Sequence, residues 1–223
     1  SAVDVESREA LGSIVIIGGS LTDGVSLPVD DYGNGLTDQL ARYLANNDKP
    51  IGVLNQGSAN NFLRLNGLLP RQPYYPFGPS VRTRLKRDAL EQTGVRWVIG
   101  SDSPMHELAS PNLRTSGELL IEALQQVIDQ AHEAGVSFLC MTIPPFEGHP
   151  TWSIEGEQYR AEYNAFVRST GSRCDGILDV DAALLDPADP LRLFADYDSG
   201  DHWLPNSRGI QQIAFSLDLD LLQ

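Results

Sequence analysis

The 223-residue chain is poor in cysteine, histidine and basic residues, and it has no long apolar run. Its two cysteines, Cys140 and Cys174, form neither a disulfide scaffold nor a metal-ligand spacing. Both are expected to be reduced thiols without a catalytic role. Lys and Arg number 16 against 30 Asp and Glu, for a formal net charge of −14. Such acidity disfavours nucleic acid and anionic membranes as partners. No run approaches the roughly 20 apolar residues that span a bilayer. Residues 1–13, "SAVDVESREALGS", have no basic region followed by an apolar stretch and do not read as a signal peptide. The expectation is a cytoplasmic protein acting on a small-molecule substrate, with a mature secreted form as the alternative. A P-loop, a Rossmann glycine pattern and zinc spacing are all missing, so no cofactor and no metal are expected.

What is present is an alternation. Short runs rich in Val and Ile occur at 13–19, 51–57, 95–101, 136–143 and 176–180, each bounded by Gly, Pro or polar residues. They suit strands buried on both faces of a parallel sheet. Helical spacing lies between them, at 35–48, 80–94, 154–171 and 205–222. It is clearest in "TSGELLIEALQQVIDQAHEAG", where Leu120, Ala123, Leu124, Val127, Ile128 and Ala131 share one face. Strands alternating with helices predict an α/β fold with a five-stranded parallel sheet between two helical layers. Residues 1–12 read as an N-terminal extension and 13–223 as a single domain. Segment 62–79, rich in Pro and aromatics, reads as a loop over a site or as an ordinary surface loop.

In open α/β sheets ligands sit beyond the carboxyl ends of the strands. That rule gathers Gly19-Ser20, Asn55-Gly57, Gly100-Asp102, Pro144-Phe146 and the Asp179–Asp181 region. The first run continues as Gly18-Gly19-Ser20-Leu21-Thr22-Asp23-Gly24, and the second reads "VLNQGSANN". "TGVRWVI", "IPPFEG", "LLDPADP" and "YDSGDHWLPNSRG" follow in order. With these blocks the chain resembles the SGNH/GDSL hydrolase family, in particular its small bacterial esterase-like branch, over residues 13–218. The resemblance implies a flavodoxin-like, three-layer α/β/α sandwich that hydrolyses an ester or acetyl group. It implies Ser20 as nucleophile, Gly57 as an oxyanion-hole glycine and Asp201 as the carboxylate that orients a histidine.

The departures from the family pattern are specific. Aligned on Asp201 and on Pro205-Asn206, the catalytic histidine position holds Leu204, and His202 stands two residues early. Aligned on Gly100, the oxyanion-hole Asn is Asp102, followed by Ser103; aligned on "RW" without a gap, its position and the next are Met105 and His106. The family's first-block Asp is Gly19. The candidate catalytic residues are therefore Ser20, Asp201 and His202. Gly19, Gly57, Asn61, Asp102, Ser103, His106 and Phe146 are candidates for the oxyanion site and substrate pocket. Tyr74, Tyr75, Phe77, Trp152 and Trp203 could add apolar lining, and His132 and His149 read as surface residues. Three functions are open: hydrolysis through Ser20 with His202 or His106 as substitute base, non-hydrolytic acid–base chemistry by Asp102 and Asp201, and ligand binding without turnover.

Overall fold

The computed structural model describes residues 7, 9–24, 33–67, 78–110 and 115–223. Tyr74, Tyr75 and Phe77 lie outside these residues, as does most of the 1–12 extension. Five strands, β1 (Gly12–Gly18), β2 (Ile51–Gly57), β3 (Val95–Gly100), β4 (Ser137–Met141) and β5 (Gly176–Leu178), form one sheet in the order β2-β1-β3-β4-β5. Every pairing is parallel. Ile14 to Ile17 are fully buried, as a central strand covered on both faces must be.

Helices α2 (Leu36–Asn46) and α8 (Ser207–Phe215) pack together on one face, and α5 (Gly117–Glu133) and α6 (Ile154–Arg168) on the other. Ser116 and Ser153 cap α5 and α6 by accepting from the backbone N–H three residues on. This is the three-layer α/β/α architecture that the alternating pattern predicts. The chain leaves β1 toward β2 on one side and returns to β3 on the other. The carboxyl ends of β1 and β3 thus flank the crevice where such folds place their ligands.

Several boundaries differ from the sequence expectation. The 80–94 helix is α3 (Val81–Leu85) running into a π-helical turn, Lys86–Leu90. The last helix stops at Phe215 and a separate 3-10 turn, Leu219–Leu221, follows. The 176–180 run is a strand only to Leu178, because the Asp179 side chain accepts from Ala182 N–H and starts helix α7 (Val180–Leu184). Two one-turn helices, α1 (Ser20–Asp23) and α4 (Ser103–Leu108), directly follow β1 and β3. "LLDPADP" lies in a two-stranded antiparallel pair, β6 (Leu185–Asp186) and β7 (Asp189–Leu193).

The cysteine expectation is overturned. Cys140 and Cys174 form a disulfide with Cα atoms 5.7 Å apart, within the usual span of such bridges. A separation of 34 residues hides this in the sequence. The pairing of β4 with β5 sets Cys140 opposite Ile177, and so brings the turn that enters β5 beside it. Replacing both cysteines by alanine is expected to lower the unfolding free energy by about 2–4 kcal/mol, measured by urea denaturation.

Candidate functional site

The site begins at a single peptide. Where β1 ends, Gly18 C=O accepts from Arg84 Nη2 at 3.0 Å and from Ser58 N–H at 3.0 Å. The N–H of the same peptide, on Gly19, donates to Asp102 Oδ1 at 2.8 Å. Asp102 Oδ2 accepts from Leu21 N–H at 2.9 Å, and Ser101 Oγ donates to Oδ1 at 3.0 Å. The free N–H groups at the start of α1 are thus capped from across the sheet, by a side chain at the end of β3. Arg84 is 5% exposed and spends its other donors on Gln56 C=O, Asn61 Oδ1 and Asp88 Oδ2.

His106 completes the cluster. Asp102 precedes α4 and His106 lies four residues on, so the one-turn helix carries the imidazole back over the carboxylate. His106 Nε2 is 3.1 Å from Asp102 Oδ2, and Ser20 N–H points at the same nitrogen from 3.3 Å. A neutral ring with a bare Nε2 can accept from Ser20; a protonated Nε2 can donate to Asp102. Burial works against the Asp102 charge, but His106 and the Leu21 and Gly19 N–H groups outweigh it and hold the carboxyl below the ordinary carboxylate value. A Cβ on Gly19 would come within 2.5 Å of His106 Cδ2 and 2.6 Å of Nε2. Glycine at 19 and histidine at 106 are two halves of one packing solution: no side chain at 19 could stand beside this ring.

Ser20 is 8% exposed, and its Oγ accepts from Asn60 N–H at 3.3 Å. The Asn60 loop is tied to α4 by Glu107, a fully buried residue that accepts from Arg64 N–H and faces the Arg64 guanidinium. Burial raises the Glu107 carboxyl above its ordinary value against the opposing pull of Arg64. Gly57 packs backbone to backbone against α1, since a Cβ there would lie 2.2 Å from Asp23 N. Its N–H donates to Asn55 Oδ1 at 2.8 Å, and Asn55 Nδ2 donates to Thr22 C=O at 2.6 Å. Asn61 is buried between Arg84 Nε and Pro79 C=O. Ser103 Oγ is buried without a hydrogen-bond partner among the described residues.

The C-terminal block is arranged differently. Asp201 Oδ1 accepts from Trp203 N–H and Leu204 N–H, each at 2.8 Å, which closes a local turn. His202 takes a left-handed backbone at φ +58°, and its half-exposed ring has Nδ1 2.6 Å from Asp198 Oδ2. Leu204 is buried and lines an apolar cavity of about 10 Å³ with Leu21, Met105, Met141 and Ile143. Trp203 joins the two halves of the site, edge-on to His106 at 5.5 Å and to Phe146 at 5.2 Å, and stacked at a tilt on His149 at 4.7 Å. Burial lowers the His149 titration; Asp201 opposes that shift and His202 adds to it. His132 pairs with Asp175 at 2.8 Å, and Asp175 also accepts from Phe138 N–H at the amino end of β4, opposite the end that faces the site.

The structure therefore brings together Ser20, Gly19, Asp102 and His106, and sets Asp201 and His202 in a separate turn. Sequence reasoning placed Asn55 at the strand ends but missed Arg84 and Asn60. Arg84 carried a signal: it shares helical spacing with the buried Val81 and Leu85, so a cation stands on an apolar face.

Asp102 links stability to pH. Its carboxyl is depressed on folding, so its contribution is present above the ordinary carboxylate value and is lost as pH falls through the folded value. In Asp102→Asn an amide Nδ2 must face the Gly19 or Leu21 N–H. The variant is expected to melt below wild type at neutral pH, with the gap narrowing on acidification through the carboxylate range. Thermal unfolding as a function of pH checks this.

No protein-family model matches the sequence, and no curated protein matches it. Solved structures do match in three dimensions. A GDSL-like lipase from Bacteroides thetaiotaomicron superposes with a TM-score of 0.68 at 10% identity, covering 95% of this chain and 88% of that one. An acetylxylan esterase from Geobacillus stearothermophilus gives 0.66 at 15% identity, covering 96% and 94%. An alpha/beta hydrolase enzyme from the metagenome of Lake Arreo gives 0.66 at 18% identity, covering 96% and 95%. The five-stranded parallel sheet in the order β2-β1-β3-β4-β5, the serine turn after β1 and these superpositions together give the chain the SGNH/GDSL hydrolase fold.

Proposed function

We propose that the chain hydrolyses a carboxylic ester or acetyl group through Ser20, with His106 as base and Asp102 as its counter-ion. The observation that carries this is the His106 Nε2 atom, which is 3.3 Å from Ser20 N and 3.1 Å from Asp102 Oδ2. The names of the structural neighbours, a GDSL-like lipase and an acetylxylan esterase among them, support an ester as the substrate class.

In the reactive form of this mechanism Nε2 of His106 is bare and accepts from Ser20 N–H. A change of the Ser20 χ1 rotamer moves Oγ from Asn60 N–H toward Nε2. Oγ attacks the ester carbonyl as its proton passes to Nε2. The new Nε2–H then donates to Asp102 Oδ2, which stabilises the imidazolium, and Ser20 N–H is released to meet the oxyanion as it forms. His106 returns the proton to the leaving alkoxide. Water attacks the acyl-enzyme with His106 again as base, and Ser20 Oγ is reprotonated.

Acid–base chemistry by the Asp102 and Asp201 pair has less support, because both carboxylates are committed to backbone N–H groups. Ligand binding without turnover draws on one observation: Leu204 is packed in apolar surroundings where the family's base would stand. Among the described residues no helix is long and apolar enough to cross a membrane. The Cys140–Cys174 disulfide supports an oxidising compartment over the cytoplasm.

A fluorophosphonate probe tests the mechanism. Wild type is expected to label at Ser20 and Ser20→Ala is expected not to. His106→Ala should label about 100-fold more slowly, the scale of a lost general base, while His202→Ala labels at the wild-type rate. Wild-type labelling in His106→Ala would overturn the role of His106, and an unlabelled wild type would favour ligand binding.

A further inference from the structure

We propose that Arg84 is a positioning residue for Ser20, acting through the Gly18–Gly19 peptide; this rests on the reading of Ser20 as nucleophile. The peptide lies between two buried side chains of opposite charge. Its carbonyl oxygen takes a hydrogen bond from Arg84 Nη2 at 3.0 Å, and its N–H gives one to Asp102 Oδ1 at 2.8 Å. Each buried charge meets the partial charge of opposite sign on the same amide. Turning that amide about its axis would cost each buried charge one hydrogen bond and set a like partial charge against it, and a lost buried hydrogen bond to a charged group is costly. The orientation of the amide in turn sets where the Ser20 N–H and Cβ point.

Arg84 suits this role because its fork is itself held. The remaining donors reach Gln56 C=O on β2 at 2.8 Å, Asn61 Oδ1 in the following loop at 3.1 Å and Asp88 Oδ2 at 3.2 Å. Four acceptors around one planar guanidinium leave it no free rotation. Asp88 lies in the π-helical turn that follows α3. Gly18 allows the close approach, since a Cβ there would lie 2.7 Å from Ser101 Cβ and 2.8 Å from Asp102 Oδ1. The guanidinium and the Asp102 carboxylate also sense one another electrostatically. Removing the cation therefore favours protonation of Asp102. The groups that face Asp102 and His106 are Arg84 from α3, the Gly19, Ser20 and Leu21 N–H groups from α1, and Ser101 Oγ from the end of β3.

The test is the rate of fluorophosphonate labelling of Ser20 against pH, with circular dichroism to confirm folding. Arg84→Met is expected to label at least about 10-fold more slowly, the scale of one lost charged hydrogen bond, with its acid limb moved to higher pH. Arg84→Lys keeps the charge but cannot hold four acceptors, so it labels slowly with the acid limb close to wild type. Asp88→Asn, a change at the cluster's half-buried edge, loosens the fork and slows labelling by less; it keeps the test open if both Arg84 variants fail to fold. A wild-type rate and pH profile in the folded variants would overturn the role of Arg84. An unlabelled wild type would instead strike the Ser20 reading beneath it.

Discussion

One amide, between Gly18 and Gly19, stands between a buried guanidinium and a buried carboxylate, and the rest of the site is arranged around it. Asp102 holds the N–H side of that amide and also caps α1 through Leu21. Arg84 holds the carbonyl side while tying in β2 and the loop that follows it. Each also has a partner of its own, Asp88 for Arg84 and His106 for Asp102. Together they fix the turn that presents Ser20, join the carboxyl ends of β1, β2 and β3, and use the peptide as the conductor between them.

The same carboxylate explains why a histidine reappears in an unexpected place. A pocket that buries Asp102 favours a cationic or proton-donating neighbour, and the α4 turn supplies one four residues later in His106. That ring then needs space over Gly19, which only a glycine leaves. Taken singly, Gly19, Asp102 and Leu204 are three departures from the SGNH/GDSL pattern that the sequence resembles. Seen in space, Gly19 and Asp102 both lie against His106, and Leu204 lines the apolar cavity beside Leu21 and Met105. The C-terminal turn keeps its own internal logic: Asp201 closes it, and Asp198 pairs with His202.

Much of the architecture was legible. The Val- and Ile-rich runs fall on β1 to β5, and the spacing of Leu120, Leu124, Val127 and Ala131 describes the buried face of α5. Helix ends were less so. Asp179 ends β5 early because its side chain can start a helix, a choice made by the neighbouring Thr142 and Arg168 as much as by local propensity. The Cys140–Cys174 pairing was invisible because it depends on which strands are neighbours.

By itself the sequence determined the alternation of strands and helices, the glycine turn before Ser20, and the spacing that lets Asp102 and His106 share one helical turn. These are local properties, set by periodicity and by what a backbone allows within a few residues. Only the tertiary structure decided which side chains surround Ser20. Gly19 and Asp102 are 83 residues apart in the chain, and Arg84 is 66 from Gly18. Burial then selects partners by the cost of leaving a charge or a polar group unmet, and that cost exists only once the strands lie side by side.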